Sequence, residues 1–378
     1  MKIAHLMSHP TLNGVASSTK MLIDAQLQAG HEVMLVHPRD SWIETQSFAG
    51  PVVKLESTFK TWPADLRATG YAIQEWGRTL VHAHGSRGNK YAMIYRLADG
   101  VPTVMTAHAR KYQIPWMFAH AVVGLSQQTT DYYLRRRLVL RRNIHVVPNV
   151  FDGAALSPVT AVSRYQARRT LGIKADALLL GSVGLVSRRK RQTDMVEVLR
   201  ALVIAGHDAQ LLVIGDLPTK PDVLNAFRKA VDDPVVAGRV HLTGHRSDAV
   251  SLIPAIDVYL CTSEAEEAPI APLEAMAQGV PVISTDVGNM ADLLLAGRIF
   301  AIGDIDGMVR AAELLLSDER LRWSEGAAAR RTVLRTLSAD LILPRIEAVY
   351  RAALRSAHDR GRKPSGSPAD NWHSTPAE

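Results

Sequence analysis

The chain has 378 residues, a length that suits two domains. Hydrophobic residues at 47% and charged residues at 21% exclude a disordered or fibrous chain. The single cysteine, Cys261, excludes a disulfide framework within the chain and a zinc or iron–sulfur site built on cysteines.

Short apolar runs alternate with amphipathic stretches along the whole chain. The runs fall at 3–7, 33–36, 80–83, 103–106, 122–125 and 144–147, then at 178–183, 210–214, 240–243, 258–261 and 280–284. Helical patterns lie between them, at 17–29, 162–171, 191–205 and 272–278. This alternation predicts α/β architecture with parallel sheets covered on both faces. The strands are too many for one open sheet of common size, so two doubly wound, Rossmann-like domains are expected. The break is expected at residues 149–160, NVFDGAALSPVT, where turn formers separate two periodic blocks. The tail from Asp359 onward is rich in Pro, Ser and Gly and is expected to be disordered.

The opening MKIAHLMSHP turns polar after a few apolar residues, unlike a secretory signal. No apolar run reaches the ~18 residues of a spanning helix. A cytoplasmic location is therefore expected. The net charge of +7 lies in the first 150 residues, with 17 basic against 9 acidic side chains; the remainder carries 27 against 28. That asymmetry suits a polyanion or an anionic membrane facing the first half. Residues 132–142, YYLRRRLVLRR, set Arg135, Arg136, Arg137, Arg141 and Arg142 among apolar residues. They read either as a membrane-surface helix or as a solvated helix face.

Ligands of open α/β sheets bind at the carboxyl ends of strands, often at helix N-termini. Three loops stand there. The first, SHPTLNGVASST, holds Gly14 but neither a dinucleotide fingerprint nor a P-loop. The second, GSVGLVSRRKRQ, follows the run at 178–183; after Gly184 it places Arg188, Arg189, Lys190 and Arg191 at a helix start. A helix N-terminus disfavours cations, so a bound anion is expected there. The third, CTSEAEEAPIAPLEAMAQGVPVIST, carries Glu264, Glu266 and Glu267 in a turn and Glu274 inside the next helix. Carboxylates there can accept bonds from vicinal sugar hydroxyls. Free amides at Ile270 and Ala271 can hold phosphate.

Residues 263–279 resemble the signature of glycosyltransferase family 4, retaining enzymes of GT-B fold that use nucleotide sugars. The family pattern S-x-x-E-G-[F/L]-[G/P]-x-x-x-L-E-A-M-A-x-G-x-P-V is matched by Ser263, Glu266, Pro269, Leu273, Glu274, Ala275, Met276, Ala277, Gly279, Pro281 and Val282. Glu267 stands where the family has glycine, and Ala268 where it has a large apolar residue. HAHGSRGNKYA, Thr106-Ala107-His108, VVGLS and VVPNVFD look like its N-terminal landmarks. Residues 184–190 resemble its G-R-L-x-x-x-K segment, with Leu185 in the place of the arginine and Lys190 matching the lysine.

The resemblance implies a GT-B architecture, two Rossmann-like domains facing each other across a cleft. An acceptor-side domain would occupy 1–155, a nucleotide-sugar domain 156–340, a helix at 341–358 would return to the first domain, and a tail would occupy 359–378. Glu266 would hold donor-sugar hydroxyls, Glu274 the ribose, and Lys190 the leaving diphosphate. Backbone at Ile270 and Ala271 would add donors, His108 would face the donor sugar, and Gly14 would line the reaction centre. Arg188 or Arg189 would replace the arginine missing at Leu185, and Gly184 would lie beside the diphosphate. Gly244, His245 and Arg246 would lie by the nucleotide base. His82 and His84 fit either cleft neighbours or core packing. No cofactor and no metal is implied, only a UDP- or GDP-sugar donor substrate. A glycan or lipid-linked acceptor of polysaccharide or lipopolysaccharide synthesis is implied, and no nucleic acid is expected as a partner. A GT-B nucleotide-sugar epimerase, or a non-catalytic nucleotide-sugar or nucleic-acid-binding protein, remains the alternative.

Overall fold

The structure is a computed structural model and describes residues 1–361. Seven strands form the first sheet: β1 (Lys2–Met7), β2 (Glu32–His37), β3 (Val52–Glu56), β4 (Leu80–His84), β5 (Thr103–Ala107), β6 (Ala121–Gly124) and β7 (Ile144–Val146). Six form the second: β8 (Leu178–Val183), β9 (Ala209–Ile214), β10 (Val240–Leu242), β11 (Val258–Cys261), β12 (Val282–Thr285) and β13 (Ile299–Phe300). Every pairing within both sheets is parallel. The two doubly wound α/β domains expected from the sequence are therefore present.

The central strands are buried on both faces, which is why they read as continuous apolar runs. Two strands had no such run. β3 is an edge strand with no buried residue, and β13 has two residues. Between the strands, helix boundaries follow local chemistry. Asn13 caps the helix Gly14–Gln28 by accepting from the N–H groups of Val15 and Ala16. Thr160 and Ser163 form a reciprocal capping box on the helix Ala161–Leu171.

Strand order is β3-β2-β1-β4-β5-β6-β7 in the first sheet and β10-β9-β8-β11-β12-β13 in the second. Order reverses between β1 and β4 and again between β8 and β11. Such a switch point opens a crevice at the carboxyl ends of its strands, where α/β sheets bind ligands.

The last described helix, Ala339–Gly361, returns to the first domain. It packs against the helix Gly14–Gln28 and strands β5 and β6. Its Ile342, Ile346, Val349 and Tyr350 are buried in a cluster with Ile3, Leu22, Val104 and Val123. This helix runs through Asp359, where the sequence suggested that order ends. The rest of the expected disordered tail, 362–378, lies outside the described residues. Among the described residues, no helix is long and apolar enough to cross a membrane.

The membrane-surface helix expected at 132–142 is not one helix. The helix Gln127–Arg135 ends at Arg135, and Arg137 has φ 54°, a left-handed conformation. The cause is burial: Leu138 and Val139 turn into the core of the first domain, which a continuing surface helix would prevent. All five arginines of the segment remain exposed.

Candidate functional site

The loop after β8 and the loop after β11 meet at the second switch point. Ser187 caps a short turn, Arg188–Lys190, and Thr262 Oγ1 donates to the carbonyl of Lys190 at 2.9 Å. Glu264 N–H donates to the carbonyl of Arg189 at 2.8 Å. These contacts fix the basic turn against the acidic one. Lys190 Nζ then lies 3.1 Å from Glu266 Oε1, and Arg189 Nη1 pairs with Glu266 Oε2. Ser263 Oγ donates to Glu266 Oε1 at 3.2 Å. Burial pushes the Glu266 carboxyl up, but Lys190 and Arg189 outweigh it and hold the group below the usual carboxylate range.

The anion expected at the basic turn has a substitute within the chain. Each of the four cations is paired with a carboxylate: Lys190 and Arg189 with Glu266, Arg188 with Asp222 and Arg191 with Asp194. Arg188 is therefore directed away from Glu266, whereas Arg189 stands beside Lys190. Leu185 is exposed. Gly184 has φ 139°, and a Cβ there would come within 3.0 Å of Lys190 Cε, so the lysine runs closely over the glycine.

The helix Ile270–Gln278 starts just beyond, with no side-chain cap and no acidic residue in its first turn. The amides of Ile270 and Ala271 thus stand at an uncapped N-terminus. Glu274 is the fifth residue of this helix. Its carboxyl makes no hydrogen bond or ion pair among the described residues, and burial raises its pKa to about 7. Gly244 pairs with Gly215 in an isolated bridge beyond the ends of β9 and β10. His245 N–H donates to Asp216, and Arg246 forms a two-bond pair with Asp248 at 2.7 Å.

The first domain supplies the opposite wall. A Cβ at Gly14 would lie 3.7 Å from Ile270 Cγ1, which puts the loop after β1 against the helix of Glu274. In the loop after β5, the Arg110 backbone N–H donates to Glu267 Oε1 at 2.9 Å, and Arg110 Nη2 to the Glu266 carbonyl at 3.1 Å. His108 is two residues from that link. The loops after β1 and β5, which carry Gly14 and His108, are thereby held against the loop after β11 and the helix Ile270–Gln278.

Behind His108 lies a buried polar chain absent from the expectations above. His108 Nε2 is 3.1 Å from His84 Nδ1, and His84 Nε2 is 2.9 Å from His5 Nδ1. His5 Nε2 is 2.8 Å from Gln26 Oε1. Gln26 Nε2 donates to Tyr350 Oη at 2.8 Å; Tyr350 Oη is 2.7 Å from His82 Nδ1, and His82 Nε2 is 2.7 Å from Thr106 Oγ1. Burial holds His5 at about 4 and His108 at about 3, and lowers His82 and His84 well below the ordinary histidine value. Both nitrogens of His5, His82 and His84 are in this chain, so the trio, though close enough to surround a metal ion, is fully occupied as a hydrogen-bond network. Two histidines spaced two apart in LVHAH were the sequence signal, because a strand puts such a pair on one face.

Comparison with known proteins agrees with this arrangement. Residues 12–154 match the family described as Glycosyltransferase Family 4, and residues 177–318 the family described as Glycosyl transferases group 1. N-acetyl-α-D-glucosaminyl L-malate synthase of Bacillus anthracis is 30% identical over 193 residues, 50% of this chain; the chain spans about half of that relative, 49%. The lipopolysaccharide core biosynthesis mannosyltransferase LpsB of Rhizobium meliloti is 27% identical over 361 residues, 91% of this chain and 95% of LpsB. Among solved structures, Anabaena HepE in complex with UDP and glucose superimposes with a TM-score of 0.80 at 17% identity, covering 93% of this chain and 99% of HepE. That likeness shows the fold, which is GT-B. With one family description matched by each sheet domain, the chain belongs to the family 4 glycosyltransferases.

Proposed function

We propose that the chain is a retaining glycosyltransferase that moves a sugar from a nucleotide-diphosphate donor to a glycan or lipid-linked acceptor in cell-surface polysaccharide or lipopolysaccharide synthesis. The observation that carries this reading is the Lys190–Glu266 pair, 3.1 Å apart at the β8/β11 switch point and facing the His108 loop. The UDP and glucose of HepE and the mannosyltransferase name of LpsB support it.

Donor binding separates the pair. Lys190, with Arg189 beside it, moves to the diphosphate, and Glu266 accepts bonds from sugar hydroxyls. The amides of Ile270 and Ala271 hold phosphate oxygens at the uncapped helix N-terminus. Glu274, already without a partner, takes the ribose hydroxyls. Gly244, His245 and Arg246 border the base, and His108 meets the donor sugar.

In the reaction the bond from the anomeric carbon to the diphosphate oxygen breaks. The acceptor oxygen bonds that carbon from the same face and passes its proton to the leaving phosphate. Negative charge grows on the diphosphate, and preorganised donors there supply the main stabilisation. Lys190, Arg189 and the helix amides provide it without a divalent ion. The flanking transition state is oxocarbenium-like.

The exposed arginines, Arg135, Arg136, Arg137, Arg141 and Arg142, form a surface for an anionic membrane at the cytoplasmic face. The neighbouring loop packs on the helix Gln127–Arg135 through Trp116 and Tyr133 and exposes Tyr112, Ile114 and Met117. The test of the function is transfer of labelled sugar from UDP- and GDP-sugars to lipopolysaccharide or lipid-linked acceptors, with the product anomer read by NMR. Transfer with retention supports the reading; hydrolysis or epimerisation without transfer overturns it.

A further inference from the structure

The buried chain behind His108 has a direction. An amide oxygen only accepts and an amide nitrogen only donates. Gln26 turns Oε1 to His5 and Nε2 to Tyr350. His5 must then carry its proton on Nε2, which leaves Nδ1 to accept from His84 Nε2–H. His84 Nδ1 in turn accepts from His108 Nε2–H. On the other arm, Tyr350 accepts from Gln26, so its own proton goes to His82 Nδ1; otherwise a buried O–H would lack an acceptor. His82 Nε2–H then donates to Thr106. Each link is consistent with every other.

The opposite polarity is also self-consistent, but it requires the Gln26 amide to be turned over. The orientation of the Gln26 amide therefore decides between two tautomers of His108 from several residues away, and the Tyr350 hydroxyl, able to donate or accept, carries the same polarity on to His82. The Nδ1 of His108 makes no hydrogen bond among the described residues. It is the nitrogen left for a ligand, and the relay decides whether it carries a proton.

We infer that Gln26, with its amide oxygen turned to His5 and its amide nitrogen supported by Tyr350, is a positioning residue that sets His108 as the Nε2–H tautomer, so that its Nδ1 is presented as a hydrogen-bond acceptor to a hydroxyl of the donor sugar. The tautomer stands on the orientation of the Gln26 amide and the hydrogen bonds that follow from it; that a sugar hydroxyl is the ligand rests on the function proposed above. The C-terminal helix acquires a role by this route, since Tyr350 couples its docking on the first domain to the group that meets the sugar. His5 and Gln26 are both fully buried, so water has no access to reverse the chain at those points.

The test is nitrogen-15 NMR of the full chain labelled at histidine, without substrate, with the His108 signals assigned by their loss in His108→Gln. The wild type is expected to show a protonated Nε2 and a bare Nδ1 at His108. In Gln26→Leu the amide that sets the polarity is gone, and in Tyr350→Phe its nitrogen loses its acceptor, so the His108 signals move toward the average of the two tautomers. A protonated Nδ1 in the wild type, or an unchanged His108 in both variants, overturns the relay. If neither variant folds, the wild-type spectrum still decides. In folded Tyr350→Phe, donor KM is expected to rise several-fold with a smaller change in kcat. An altered tautomer with unchanged donor KM overturns the sugar as the ligand of His108, and leaves the relay standing.

Discussion

Glu267 Oε1 accepts from the backbone N–H of Arg110 at 2.9 Å and from its Nε at 3.3 Å, and so ties the loop after β5 in one domain to the loop after β11 in the other. The family pattern has glycine at this position. Here the side chain is nearly buried; burial pushes its carboxyl up, and Arg110 offsets only part of that. Removing the link should loosen closure of the crevice without removing any group that meets the donor. Glu267→Gly is expected to raise donor KM roughly tenfold, equivalent to about 1.4 kcal/mol, and to leave kcat at saturating donor within a few-fold. Steady-state kinetics with varied donor reads both constants. An unchanged KM would contradict the linking role.

Lys190 is the cation assigned to the proposed leaving group, and Arg189 would keep Glu266 paired in its absence. Lys190→Ala should therefore fold and should lower kcat by roughly 10²–10³, as loss of one preorganised donor does. Full turnover in that variant would place the leaving group elsewhere.

Glu274 has its pKa raised to about 7 by burial alone. Only the ionised form accepts fully from two ribose hydroxyls. Nucleotide affinity should thus rise with pH up to about 7 and level off above it, changing by up to tenfold per pH unit on the acid side. Glu274→Gln should bind more weakly and lose this dependence. Calorimetric titration with UDP or GDP across that range reads the effect; a flat wild-type profile would contradict it.

The histidine chain predicts acid sensitivity. His5 and His108 are held at about 4 and about 3, and His82 and His84 are also lowered by burial. These rings stay neutral in the folded chain, while the unfolded chain protonates them below about pH 6.5. Their contribution is complete above that value and is lost as pH falls toward 4. Stability should therefore fall as pH drops through that window, because the unfolded chain takes up protons that the buried rings refuse. Denaturant titration at several pH values measures the slope, and a constant stability from about pH 6.5 to about 4.5 would count against neutral burial.

The five exposed arginines at 135–142 predict salt-sensitive binding to anionic vesicles, at about 1 kcal/mol per arginine near the surface. Replacing Arg135, Arg136 and Arg137 with glutamate should abolish flotation with anionic vesicles. Equal binding to neutral vesicles would rule out the electrostatic surface.

Most strands were legible because central parallel strands are buried on both faces and read as apolar runs. β3 was not, because an edge strand with Lys54 and Glu56 carries no such signal. At the site, local pattern and carboxyl-end position mark the basic turn at 188–191 and the acidic loop with Glu264, Glu266 and Glu267, which the fold brings together; Lys190 among the four cations is singled out by the family resemblance alone. The pairing of the cations was not legible: four adjacent cations suggested an external anion, and only the fold shows Asp222 and Asp194 beside Arg188 and Arg191. The segment at 132–142 misled because its periodic pattern contains Leu138 and Val139, which the tertiary core claims. The relay could not be read at all as a unit. Its members span positions 5 to 350, and parallel register alone sets His5 beside His82 and His84 beside Thr106.

Binding of an activated sugar requires the paired Lys190 and Glu266 to separate around it. The most direct measurement is a thermal-shift series with nucleotide diphosphates and nucleotide sugars on the wild type and on Glu266→Ala. At 100 times its Kd, a matching nucleotide sugar should stabilise the wild type by about 2.7 kcal/mol and the variant by clearly less. No stabilisation by any nucleotide or nucleotide sugar would contradict the account.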